Sequence, residues 1–290
     1  MKGILLAGGN GTRLWPITKS VSKQLIPVYD KPLIYYPLST LMLANIRDIL
    51  IITTPQDLNQ FKKLLGSGNQ FGISLEYATQ EKPNGIAEAF NIGSDFIQEQ
   101  NVCLILGDNI FHGSGLGRQL SKFNDLTNAQ IFGYKSDNPS AYGVIEFDNL
   151  FNVMSLEEKP TVPKSNYIVP GMYFYPSNVL EIVKTLKPSS RGELEITDLN
   201  NLYVEMGKLK CNLLEVDSVW FDSGTFTSLN EASDYFRKLE STSGTKAGCI
   251  EEVALRKKYI TRDQYVNLIS DYPNNEYKQY LEKIIMMVDY

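Results

Sequence analysis

The chain of 290 residues contains a single histidine, His112, and only three cysteines, Cys103, Cys211 and Cys249. One histidine excludes metal sites built mainly from imidazoles, and any Ser-His-Asp arrangement would have to run through His112. The cysteines are far apart, with neither the paired spacing of a zinc site nor the density of a disulfide framework. Cys103 lies inside the apolar run 102–106, and all three are expected to be reduced, structural thiols. Excess positive charge is also missing: 28 Lys and Arg stand against 33 Asp and Glu, a formal net charge of −5. That balance disfavours a nucleic-acid groove or an anionic membrane surface as the main partner, whereas a small anion needs only a local basic cluster. No stretch approaches the roughly 18–20 apolar residues of a membrane span. The segment Met1 to Leu6 lacks the basic and apolar regions of a secretory signal, so a cytoplasmic protein is expected.

With 43% hydrophobic residues, the chain can bury one large α/β core, or a main domain with a smaller appendage. Apolar runs at 2–7, 48–53, 73–78, 101–106 and 129–134 read as strands. Amphipathic stretches at 35–46, 56–65, 85–98 and 115–126 read as helices between them. Such alternation predicts a Rossmann-like, mostly parallel central sheet flanked by helices, because parallel neighbours need long crossovers and both sheet faces must be covered. From about residue 140 the strands come closer together (142–147, 151–157, 167–175, 209–216, 218–222), with helices at 176–186 and 194–207, which predicts additional antiparallel strands. Residues 241–290 read as a helical C-terminal segment (250–259, 261–270, 275–287) for packing or oligomerisation, after an α/β domain over 1–240.

Directly after the first strand, Gly8-Gly9-Asn10-Gly11-Thr12-Arg13-Leu14 offers backbone N–H groups in a flexible turn, followed by a fixed positive charge. Two readings stay open at this point, a phosphate cradle or an ordinary tight turn. No Gly-Lys-Ser/Thr follows, so this is not a Walker A loop, and Leu14 stands where a dinucleotide fingerprint needs its third glycine. Ten residues on, Ser22-Lys23-Gln24-Leu25-Ile26-Pro27-Val28 sets a lysine and a glutamine into an apolar stretch, where a solvated face is a weaker explanation than usual. Lysine suits a triphosphate and glutamine the edge of a base.

Gly-Gly-x-Gly-Thr-Arg-Leu followed by Ser-Lys-Gln-Leu-x-Pro-Val resembles the start of the sugar nucleotidyltransferase family. The run Pro27-Val28-Tyr29-Asp30-Lys31-Pro32-Leu33-Ile34-Tyr35-Tyr36-Pro37 is similar, more narrowly, to the glucose-1-phosphate thymidylyltransferases within it. The likeness continues through Leu106-Gly107-Asp108-Asn109, Ser155 to Pro160, Arg191 to Asp198 and Trp220 to Thr225. It implies transfer of a thymidylyl group from dTTP to glucose 1-phosphate, with magnesium as cofactor, in an enzyme that is often a homotetramer under feedback control. The sugar-binding part of the domain would then fall at about 140–225.

Residue by residue, the resemblance assigns Gly8, Gly9, Gly11, Thr12 and Arg13 to the triphosphate and Lys23 to the reacting phosphates. Gln24, Gln80 and Gly85 go to the pyrimidine. Asp108 and Asp222, each at the end of an expected strand, become the metal ligands, although spacing alone would as readily make them turn or cap residues. Asn109, Gly143, Glu158, Lys159, Val169 and Arg191 fall on the sugar-phosphate side; unaided, Glu158-Lys159 would read as a solvated pair. Arg13, Lys23 and Asp108 carry the chemistry. A sugar phosphate is already an anionic nucleophile, so the reaction needs positioning and charge neutralisation in place of a general base.

The chain departs from the family pattern at Pro170, where threonine is expected, at Ser140-Ala141 in place of Glu-Arg, and at Trp15, where a smaller aromatic or histidine is usual. Those changes bear on which sugar is taken. Competing expectations are the same reaction with UTP, GTP or another hexose 1-phosphate, and a non-catalytic nucleotide-sugar binding module. A metal-dependent glycosyltransferase would carry Asp-x-Asp after a strand, which Asp108-Asn109-Ile110 does not supply.

Overall fold

The computed structural model describes residues 1–9, 11–123 and 126–287. Asn10 of the glycine-rich loop, and positions 124 and 125 of the helix expected at 115–126, lie outside the described residues. The strands are β1 (Lys2–Ala7), β2 (Pro27–Val28), β3 (Lys31–Pro32), β4 (Asp48–Thr53), β5 (Ser74–Thr79), β6 (Val102–Leu106) and β7 (Asn109–His112) in the first part of the chain. They continue with β8 (Ala129–Lys135), β9 (Gly143–Phe147), β10 (Val153–Glu158), β11 (Tyr167–Ile168), β12 (Met172–Tyr175), β13 (Leu209–Leu213) and β14 (Val219–Asp222). The helices are α1 (Tyr35–Leu43), α2 (Leu58–Leu65), α3 (Glu88–Ile92), α4 (Ser94–Ile97), α5 (Leu116–Leu120) and α6 (Val179–Val183). They are followed by α7 (Ile196–Glu205), α8 (Phe226–Ser243), α9 (Ile250–Arg256), α10 (Arg262–Ser270) and α11 (Glu276–Met287).

The α/β expectation holds. One sheet runs in the order β10-β9-β11-β8-β12-β6-β1-β4-β5, with β13 also paired to β8. β1 pairs in parallel with β4 and β6, and β4 with β5; β12 is inserted antiparallel between β6 and β8. Aliphatic residues fill these strands because both faces of a parallel sheet are covered. Successive side chains alternate between two hydrophobic layers, as the strand period requires. Leu5, Ile49, Ile51, Cys103 and Ile105 face one layer with Leu38 and Leu41 of α1 and with Ile250, Leu255, Tyr265 and Leu281 of the C-terminal helices. Ile4, Leu50, Ile52, Val102 and Leu104 face the other, with Phe90 of α3, Val179 of α6 and Leu199 and Tyr203 of α7.

Chain order across β4-β1-β6 reverses direction at β1, and the crevice outside the carboxyl ends of β1 and β6 is where an open α/β sheet receives ligands. Both ends are pinned together, since Gly107 N donates to Leu6 O at 2.8 Å.

Several elements differ from expectation. The strand expected over 167–175 breaks into β11 and β12 because Pro170 has no N–H to give to a ladder, and the three residues between them turn toward β6 and β9. The helix expected over 85–98 is interrupted at Gly93, a weak helix former. β7 and β14 form a separate antiparallel pair, and α8, capped by the Thr225 side chain, runs as far as Ser243; neither β7 nor α8 was legible in advance. Among the described residues no helix is long and apolar enough to cross a membrane.

At the outer edge of the sheet, β10 leaves one side of its backbone open. The Asn201 side chain of α7 closes it: Leu156 N donates to Asn201 Oδ1 and Asn201 Nδ2 donates to Leu156 O, both at 2.9 Å. A side-chain amide thus stands in for a neighbouring strand and blocks pairing with another chain. Asn201→Ala, which leaves both groups unsatisfied, should lower stability by about 1–3 kcal/mol. Urea unfolding monitored by circular dichroism, with light scattering to follow aggregation, checks this.

Candidate active site

Turns at the strand ends gather the functional side chains. Gly8 and Gly9 leave β1, and a single helical turn at Thr12–Leu14 carries Arg13 outward; a second turn at Lys23–Leu25 carries Lys23 and Gln24 inward. Together with Gln80, Gly85 and Asp108 they line one cleft of about 330 Å³, so the structure brings together Gly8, Gly9, Gly11, Thr12, Arg13, Lys23, Gln24, Gln80, Gly85 and Asp108. Leu6, Leu106, Pro83 and Ile86 supply its apolar walls, the kind of surface a planar base covers. Gln80 is buried after β5, and its Nε2 donates to Gly85 O at 3.2 Å. Gly85 has φ +106, and a Cβ there would lie 2.3 Å from Leu194 O, so only glycine fits between this loop and the segment before α7.

Lys23, only 6% exposed, places Nζ 2.5 Å from Asp108 Oδ2, while Asn109 Nδ2 donates to Asp108 Oδ1 at 2.8 Å. Asp222 joins from β14, whose register sets it opposite Asn109, and Ser223 N donates to Asp108 O at 3.1 Å. Burial opposes ionisation of Asp108, but the Lys23 charge and the hydrogen bonds from Lys23 and Asn109 outweigh it and hold the carboxyl below its ordinary range. Asp222 moves the other way: burial, then the charge on Asp108, raise it, and Lys23, Arg13 and Lys159 only partly offset them. Two neighbouring buried carboxylates, one of them reluctant to ionise, fit a hard divalent cation, which would relieve their repulsion. Among the described residues no third His, Cys, Asp or Glu joins them, so the remaining ligands would be oxygens from outside the protein.

A second cluster adjoins the first. Glu158, at the end of β10, accepts from Thr197 Oγ1 at 2.8 Å and lies 3.5 Å from Lys159 Nζ. Arg191 is forked onto Glu195, with Nε to Oε1 at 3.2 Å and Nη2 to Oε2 at 2.8 Å, and its Nη2 is 3.5 Å from Glu193, which also lines the cleft. Gly143 and Val169 are joined by a backbone hydrogen bond of 2.9 Å. These residues do not line the glycine-loop cleft; Glu193 and the Asp108–Asn109 turn connect the two clusters. Asn109 itself is buried, its amide engaged with Asp108, Gly171 and Trp220.

Sequence reading missed Thr197, Glu193, Glu195 and Trp220 as participants, although all four lie inside the runs that carry the family resemblance. Polar residues packed just before a helix start would have been the signal for the first three. His112 lies away from the cleft, edge-on to Tyr235 and Phe236, and burial pushes its pKa down. Cys103, Cys211 and Cys249 are free thiols, and burial raises each above its usual range.

A carboxyl group whose folded-state pKa is raised makes the fold less stable once ionised, and this cost disappears as pH falls through that raised value. Asp222→Asn should therefore melt at a higher temperature than the unaltered protein near neutral pH, by roughly 2–4 °C for each kcal/mol relieved. The difference should vanish in acid, where Asp222 is protonated in both states; calorimetry across pH, without ligands, measures it.

Residues 2–238 match the nucleotidyl transferase family. The chain is 52% identical over 285 residues to a glucose-1-phosphate thymidylyltransferase of Mycolicibacterium smegmatis, covering 98% of this chain and 99% of that one. It is 50% identical over 286 residues to the protein of the same name from Neisseria meningitidis, with the same coverage. Among solved structures, a Bacillus anthracis protein assigned as a glucose-1-phosphate thymidylyltransferase, in complex with sucrose, superposes with a TM-score of 0.75 at 42% identity, covering 81% of this chain and 94% of that one. A UDP-glucose pyrophosphorylase complexed with UDP-glucose gives 0.71 at 26% identity, covering 82% and 98%. A glycine-rich loop, a buried lysine and paired carboxylates at the carboxyl ends of parallel strands therefore stand in a chain that belongs to the nucleotidyl transferase family.

Proposed function

We propose that this protein transfers the thymidylyl group of dTTP to glucose 1-phosphate, giving dTDP-glucose and pyrophosphate, with Mg2+ held by Asp108 and Asp222. The observation that carries the reading is the convergence, at the ends of β1 and β6, of the glycine loop, Arg13 and Lys23 with those two carboxylates, beside a sugar-sized cluster of Glu158, Lys159 and Arg191. Relatives about half identical over almost the whole chain bear the corresponding name.

In this reading the backbone of Gly8, Gly9, Gly11 and Thr12 receives the triphosphate, with Arg13 at its outer end. Magnesium, when bound, neutralises and orients phosphate oxygens. Lys23 is already stripped of water by burial, so its charge acts at full strength on the α-phosphate as it gains charge. Gln80 and Gln24 offer amide donors and acceptors to the thymine edge. On the other side Glu158 accepts from sugar hydroxyls, Lys159 and the free Nη1 edge of Arg191 hold the sugar's phosphate, and Gly143 and Val169 bound the ring with backbone groups. The phosphate oxygen then attacks in line and pyrophosphate departs; no proton has to be removed from the nucleophile. The proposed enzyme is a cytoplasmic homotetramer, as the family resemblance implies, and light scattering after gel filtration tests the assembly.

Pyrophosphate release is followed with Mg2+, glucose 1-phosphate and each common nucleoside triphosphate in turn. Release should be strongest with dTTP and lost in Asp108→Asn. Preference for UTP or GTP would change the base assignment, and silence with all of them would sink the choice of sugar phosphate.

Lys23→Ala should lower kcat by about 10²–10³-fold. Near-normal turnover in that variant would remove Lys23 from the reaction.

A further inference from the structure

Two strands deliver the paired carboxylates, and a single side chain connects them. Asn109 is 3% exposed and its amide is committed in three directions. Nδ2 donates to Asp108 Oδ1 at 2.8 Å, while Oδ1 accepts from Trp220 Nε1 at 2.7 Å and from Gly171 N at 3.0 Å. Trp220 lies two residues before Asp222 on β14, and Asn109 pairs directly with Asp222 in the β7–β14 ladder. Asn109 therefore touches one carboxylate and grips the strand that bears the other. Both anchors are themselves fixed. The Trp220 ring packs edge-on against Tyr142 at 5.1 Å, and Gly171 O accepts from Leu106 N at 2.8 Å at the end of β6. A Cβ on Gly171 would come 2.8 Å from Asn109 Oδ1, so the backbone approaches the amide as closely as it can.

We infer that Asn109 is a positioning residue, which sets the rotamer of Asp108 and the spacing of Asp108 from Asp222, and so the geometry at which the pair receives a divalent cation. The sequence resemblance would place Asn109 against the sugar phosphate instead, but its buried amide already satisfies three protein groups. Groups that orient metal-binding side chains commonly matter about 10–100-fold to metal affinity, because a carboxylate free to rotate loses part of its preorganisation. The inference rests on the reading of Asp108 and Asp222 given above.

Mn2+ serves as the probe. Its binding to the protein saturated with dTTP is measured by electron paramagnetic resonance, alongside kcat and the KM for glucose 1-phosphate. In Asn109→Ala the Mn2+ affinity should weaken about 10-fold or more and kcat should fall with it, while the KM for glucose 1-phosphate changes little. Unchanged Mn2+ affinity with a raised KM for glucose 1-phosphate would overturn the inference and return Asn109 to the sugar. If Asn109→Ala does not fold, Trp220→Phe decides: it removes only the indole donor, and should weaken Mn2+ binding in the same direction by a smaller factor, where no change would overturn the inference. Failure of the unaltered protein to bind Mn2+ at all in the presence of dTTP would sink the metal assignment itself, and this inference with it. Tight Mn2+ binding without pyrophosphate release would count against the proposed reaction alone.

Discussion

Asp108 and Asp222 repel one another, and much of the molecule is arranged so that they remain neighbours. Asp108 terminates the central parallel strand β6, and Asp222 arrives from the far end of the sequence on β14, locked in register against β7. Such a juxtaposition is unfavourable in isolation, because each charge has lost water and faces its like. It is tolerated because Lys23 brings a compensating charge within 2.5 Å of Asp108, and because the flanking ladder and the hydrophobic layers on both sides of the sheet make separation more costly than repulsion. Sites that must receive a cation and a polyanion commonly hold this kind of local disadvantage in reserve.

The same constraint explains the division of labour around the sheet. Parallel strands β1, β4, β5 and β6 furnish a rigid platform whose loops all emerge at one end, and these loops carry the nucleotide half of the site. The antiparallel strands β9 to β12 cannot contribute further loops at that end in the same way; they present strand ends and the turn at Val169-Pro170-Gly171 instead. Sugar and nucleotide are thereby received by different kinds of backbone, one a set of crossover loops and the other the margin of a meander. The Arg191–Glu195 segment crosses from one to the other.

Most of the platform was legible because its signal is local. Aliphatic runs such as 102–106 and 48–53 mark buried strands, and the glycine-rich turn after β1 marks the ligand end. What escaped depended on partners remote in sequence. β7 is four residues long and has meaning only beside β14, and the Trp220–Asn109 hydrogen bond spans 111 positions. α8 has a largely polar composition and starts at Thr225, within a stretch that reads as a loop because of Ser223-Gly224. Asn201, the amide that closes the sheet edge, is indistinguishable in sequence from any helix-surface asparagine until Leu156 is placed against it.

Gly85 and Leu194 approach so closely that there is no room between them for a single methyl group. The loop beside the base pocket and the segment bearing Arg191 are thus interlocked, with Ala87 N donating to Leu194 O and Leu194 N to Asn84 O. Grafting a base-recognition loop from a relative of different nucleotide preference would consequently disturb the sugar-phosphate side unless residues 188–195 travelled with it. The two specificities of this enzyme form one transplantable module, and they are constrained to diverge together.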